Sequence, residues 1–187
     1  LALLCNTVAT GAALVVLITV FAPLSGAHFN PAVTLYFALR REIAGRDATS
    51  YIVVQVIAAI VGVWIAHAMF GAAILEVSQK LRDGPSQWLS EFVATFGLLL
   101  TIAGCARKPD TTPALVGLYI SAAYWFTAST SFANPAVAIA RSMTDSFAGI
   151  APHSLPGFIA AQIVAAVSAY VVLRWFWTPP AADNTPV

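Results

Sequence analysis

The chain has 187 residues, 59% of them hydrophobic and 9% charged, with a net charge of +1 and a mean hydropathy of +0.82. A soluble domain carries about 25% charged residues, so an ordinary water-soluble fold is excluded; with no basic tract, nucleic acid is excluded as a partner. Cys5 and Cys105 fall in or beside apolar stretches and read as small packing residues, not as a disulfide or a metal pair.

Apolar stretches of about 17–25 residues, the length that crosses a hydrocarbon core, recur along the chain. Five full spans are expected. The first runs from Leu1 to about Pro23, with no basic leader of a cleavable signal before it. A short apolar piece follows from Asn30 to Leu39. Beyond the charged turn Arg40, Arg41, Glu42, Arg46 and Asp47 comes the second span, about Ala48 to Phe70. The polar loop with Glu76, Lys80, Arg82 and Asp83 leads into the third, about Gln87 to Ala106. The fourth covers about Pro113 to Ala128. A second short piece, Asn134 to Met143, precedes the fifth span, about Ser154 to Trp177. Residues 1–178 thus read as one transmembrane domain, and 179–187 as a polar tail.

Loop cations set the orientation. Arg40, Arg41, Arg46, Arg107, Lys108 and Arg174 fall on one side, against Lys80, Arg82 and Arg141 on the other, which puts the first group in the cytoplasm. Trp88, Tyr170, Trp175 and Trp177 lie near span ends, as an aromatic belt requires.

Both short pieces open alike: Asn30-Pro31-Ala32-Val33 and Asn134-Pro135-Ala136-Val137. Asparagine caps free N–H groups at a helix start, and proline tolerates the first helical position. A helix that begins inside a bilayer does so where its start lines a cavity. Two such starts predict half-helices meeting near the midplane, each asparagine accepting from the N–H three residues on (Val33, Val137) and turning its NH₂ into the lumen. Their two positive ends would repel cations. If the halves are inverted repeats, the counterpart of Glu91, which opens the span before Asn134, would fall upstream of Leu1. A first helix therefore reads as missing.

The segment from Ser25 to Thr34 closely resembles the first signature of the aquaporin and glycerol-facilitator (major intrinsic protein) family, and Ser131 to Val137 resembles the second. The resemblance covers the family's second to sixth spans. It implies an all-α, aquaporin-like inverted-repeat bundle, with five full spans and two half-helices here and six spans in the complete protein. It further implies a homotetramer in a bacterial inner membrane, passive flow of small neutral solutes, no catalysis and no cofactor.

Residue roles follow from the resemblance. His28 is a candidate lining group, with a purely loop-fixing histidine as the alternative; His67 and His153 read as structural. Glu91, an acid inside a span, would brace the loop leading to Asn134. Most members place arginine directly after the second motif, where this chain has Val137. Ungapped counting puts Thr10 at the second-span filter position. The fifth-span position is Tyr124 or Ala122, depending on the alignment. Ser131 would contribute its carbonyl. Small Thr10 with Val137 predicts a wider, less polar filter than a strict water pore. Arg141, one turn beyond, either guards the outer mouth or snorkels to the interface. The valine and the run from Tyr124 to Ser129 look like a bacterial subgroup associated with arsenic resistance, which adds arsenous acid to the expected polyols and water. Two rivals stand beside this reading: a non-conducting truncated relative, and an intramembrane enzyme using His28 with Glu91 or Asp145.

Overall fold

Glycine, proline and asparagine punctuate an almost continuous apolar sequence into helices. In the computed structural model, which describes residues 1–176, α1 (Ala2–Ser25) stops where Gly26 takes a left-handed φ of 72° and returns its N–H to Ala22. The half-helix α2 (Pro31–Leu39) starts on the Asn30 cap. The span α3 (Gly45–Phe70) ends at Gly71, again left-handed, with φ 66°. α4 (Pro85–Gly104) has proline in its first turn, where the missing N–H is no loss. After two 3₁₀ turns come α5 (Thr112–Phe126), the second half-helix α6 (Pro135–Arg141) and α7 (Leu155–Phe176). Trp177 and the expected polar tail lie outside the described residues.

α1, α3, α4 and α7, the last two with flanking turns, are long and apolar enough to cross a membrane. The expected fourth span is α5, with only 15 residues, about 22 Å long against a core of about 30 Å. It stops short of Ala128 where Thr127, its hydroxyl and N–H both on the Ala123 carbonyl at 2.7 and 3.2 Å, takes an extended backbone (φ −107°, ψ 140°). The order span, half-helix, span occurs twice, as α1–α2–α3 and α5–α6–α7.

The helices pack in pairs, α1 on α5 and α4 on α7, while each half-helix wedges against α3 and α7. Small residues permit a close crossing of α1 and α5: a Cβ on Gly117 would stand 2.8 Å from the Gly11 carbonyl oxygen of α1 and 2.6 Å from Val15. One buried cluster gathers Tyr36, Leu98, Leu99, Val116, Ile120 and Tyr124 around the centre; a second, with Phe132, Ala138, Ile150 and Phe158, lies behind α6. The outer faces are apolar. Val54, Leu118, Val171 and Phe70 stand exposed, and α3 buries only Ala48 and His67. That inversion suits a surface solvated by lipid. Cys5 is exposed, Cys105 is buried, and both are free.

Candidate functional site

The two signatures adopt one local structure twice. Residues three and one before each asparagine are left-handed: Ala27 (φ 47°) and Phe29 (49°), then Ser131 (48°) and Ala133 (48°). Non-glycine residues pay of order 1–3 kcal/mol for such angles and need support from their surroundings. Part of the support repeats as well. The Ala27 N–H donates to Ser25 Oγ at 3.3 Å, and the Ser131 N–H to Ser129 Oγ at 3.2 Å.

Asn134 Oδ1 accepts from the N–H groups of Ala136 (3.0 Å) and Val137 (3.3 Å). Asn30 Oδ1 accepts from Ala32 at 2.9 Å, not from Val33 as the spacing predicts; a capping oxygen reaches either the second or the third helical N–H. The amide nitrogens cross over. Asn30 Nδ2 donates to the Ala133 carbonyl at 2.7 Å, and Asn134 Nδ2 to the Phe29 carbonyl at 2.9 Å. The motifs therefore face each other and are tied reciprocally, with one proton of each NH₂ left over.

Glu91 is fully buried on α4 and supports the second loop directly. Its Oε1 accepts the Phe132 N–H at 2.9 Å, and its Oε2 the Ala133 N–H at 2.8 Å and Gln162 Nε2 at 2.6 Å. Three charge-assisted bonds offset the removal of a carboxylate from water. They also fix the carbonyl of Ala133 under the Asn30 amide.

A cavity of about 830 Å³ runs past both asparagines, from Glu42 and Asp110 at one end to Arg141 at the other. Thr10, Tyr124, Ser131, Val137 and His28 all line it, whereas Ala122 is exposed on the outside of α5. The alternative position for the fifth-span residue is thus not on the cavity. Tyr124 Oη is 3.3 Å from Thr10 Oγ1 and accepts Arg141 Nη2 at 2.9 Å. The Arg141 guanidinium also lies 4.5 Å from the Phe132 ring centroid. It turns inward and does not snorkel.

At the other end of the cavity, His28 Nδ1 pairs with Thr34 Oγ1 at 3.1 Å, and Gln55 Nε2 donates to the same oxygen at 3.0 Å. The ring stacks on Phe37 with centroids 4.7 Å apart. His28 thus lines the cavity and is held by its loop at once. His67 Nδ1 lies 3.2 Å from the Ile74 carbonyl and steadies the chain after α3. The structure does not assemble His28, Glu91 and Asp145. Glu91 is engaged as described, and Asp145 Oδ1 accepts the Gln79 N–H at 2.9 Å.

Two contributors escaped the sequence reading. Gln162 carried a signal, an amide inside an apolar span. Arg82, counted only as a loop charge, is buried and donates to the carbonyls of Gly149 (2.8 Å), Ser129 (3.0 Å) and Phe147 (3.2 Å). Burial, and after it the nearby Arg141, pull its guanidinium down to about 10, which leaves it charged at neutral pH.

The family described as Major intrinsic protein matches residues 2–128. Aquaglyceroporin AqpS of Rhizobium meliloti (strain 1021) is 58% identical over 180 residues, 96% of this chain and 77% of that protein. This chain belongs to the major intrinsic protein family. A probable aquaporin AqpM of Archaeoglobus fulgidus is 32% identical, over 78% of this chain and 65% of its own length. Aquaporin NIP1-1 of Oryza sativa subsp. japonica is 33% identical over 60% of this chain and 40% of that protein. Family members are all-α, multi-pass membrane channels and not enzymes.

Proposed function

We propose that the chain forms a passive channel for glycerol-like polyols and water, with neutral metalloid hydroxides such as arsenous acid among its solutes. The observation that carries this is the reciprocal pair of amides, Asn30 to Ala133 and Asn134 to Phe29, on the lining of one cavity. Each amide keeps a free proton for a passing hydroxyl, and both half-helix starts add positive potential there. Thr10, Tyr124, Ser131 and Val137 form the outer filter in this reading, with Ser131 acting through its carbonyl. His28 shapes the opposite half, and Glu91 supports the second loop from behind. The similarity to an aquaglyceroporin supports the polyol assignment, and the small Thr10 and apolar Val137 favour solutes wider than water. A homotetramer in a bacterial inner membrane, its Arg40 and Arg107 loops in the cytoplasm, completes the proposal.

Stopped-flow light scattering of liposomes containing the full chain tests it. Under a glycerol gradient, re-swelling should outpace that of empty liposomes by about tenfold or more. Equal rates would overturn the proposal and favour a non-conducting relative. Arsenous acid uptake by cells at neutral pH should rise with expression of the channel; unchanged uptake removes that solute alone.

A further inference from the structure

We propose that Arg141 is the residue that selects solutes and excludes cations at the outer filter, and that Tyr124 and Thr10 act mainly by holding it there. This rests on the cavity being the permeation path.

Val137 and Arg141 are four residues apart on α6 and so share a face. Side chains on a helix slant toward its N-terminus, so a long arginine covers the turn before its own. Arg141 therefore reaches back over the level of Val137. Its guanidinium is fixed from two other segments, by Tyr124 Oη on α5 at 2.9 Å and by the Phe132 ring in the incoming loop at 4.5 Å.

The proton directions can be worked out. Arginine only donates, so Tyr124 Oη is the acceptor in that bond. Thr10 Oγ1 donates its single proton to Asn6 Oδ1 at 3.3 Å. The 3.3 Å contact between the two hydroxyls therefore has Tyr124 donating to Thr10. The result is a one-way chain, Arg141 to Tyr124 to Thr10 to Asn6, which ties α6 to α5 and α1. Both hydroxyl protons are used within it. Of the five guanidinium N–H groups only one, on Nη2, is given to Tyr124, and Nη1 is buried without a hydrogen-bond partner. Arg141 and Val137 both line the cavity, so a solute there passes the guanidinium with a carbon surface alongside. Arg82 places a second guanidinium 5.0 Å from the same Phe132 centroid, with N–H groups engaged by the carbonyls of Gly149, Ser129 and Phe147. Two cations at this level raise the potential that a passing cation must cross.

The test uses the full chain in liposomes, reading glycerol flux and K⁺ leak in parallel. Arg141→Leu should raise K⁺ leak about tenfold while glycerol still passes, and Arg141→Lys should restore exclusion. Tyr124→Phe, which keeps the ring and deletes the hydroxyl, should give a smaller leak of about threefold. The double variant Tyr124→Phe/Arg141→Leu should match Arg141→Leu alone, because tyrosine acts through the arginine. Unchanged K⁺ exclusion in both Arg141→Leu and Tyr124→Phe, in a wild type that conducts glycerol, overturns the inference and leaves the channel reading intact. If Arg141→Leu fails to assemble, Tyr124→Phe decides alone: wild-type exclusion sinks the proposal. A wild type that passes no glycerol takes both readings down.

Discussion

Val137 lines the cavity one turn inside Arg141, and its apolar surface there is a matter of one side chain. Replacing it by arginine would put two guanidinium groups on one helical face, where like charges repel. Val137→Arg should slow glycerol by about tenfold and water by much less, since narrowing discriminates by size. The ratio of the two permeabilities in liposomes measures this. Equal losses of both would mean that Val137 does not set the width. At this scale the legible residues were those whose chemistry clashed with their surroundings. Asn30, Asn134 and Glu91 are polar groups in apolar sequence, and each has a partner in the fold. The bond of Asn30 to Ala32 in place of Val33 was not legible, because a cap oxygen has two N–H groups within reach and local geometry chooses.

Helices here are bounded by local signals and placed by close contacts. Gly26 and Gly71 end their helices in left-handed conformations, and Pro31 and Pro135 open theirs, all readable from residue type. The shortness of α5 was not, since no glycine or proline marks the residue, Thr127, at which the backbone becomes extended. The crossing of α1 and α5 hangs on Gly11 and Gly117. Gly117→Val would force backbone apart at the Gly11 carbonyl, where no flexible side chain can yield. It should destabilise the protein by about 1–3 kcal/mol, typical of overpacking, and separate Thr10 from Tyr124. A lower unfolding temperature in detergent together with increased K⁺ leak is the expected outcome. Wild-type values for both would show that the crossing tolerates a side chain.

Across the whole molecule, the outer end is knitted by backbone contacts between distant segments. Ser78 donates to the Ser142 carbonyl at 2.9 Å and Ala151 to the Lys80 carbonyl at 2.7 Å, while Arg82 gathers the loops at 129–130 and 147–149. A hydrogen bond from a charged group contributes about 1.5–3 kcal/mol, and Arg82→Gln removes several at once. The variant should exchange the amides of residues 129–131 and 147–151 at least about tenfold faster, with α4 and α7 unchanged. Uniform exchange across the chain would point to global destabilisation, and no change would deny Arg82 its role.

The amino-acid sequence by itself determined that this is an apolar, multi-span chain with two capped half-helices, because hydropathy and helix-start chemistry are local properties. It also marked the asparagines and the buried acid. Tertiary structure alone decided which carbonyl each amide meets, that Tyr124 and not Ala122 lines the cavity, and that Arg141 turns inward while Arg82 is buried. Those outcomes depend on segments 17 to 105 residues apart coming within hydrogen-bond reach, and no local pattern encodes the distance between them.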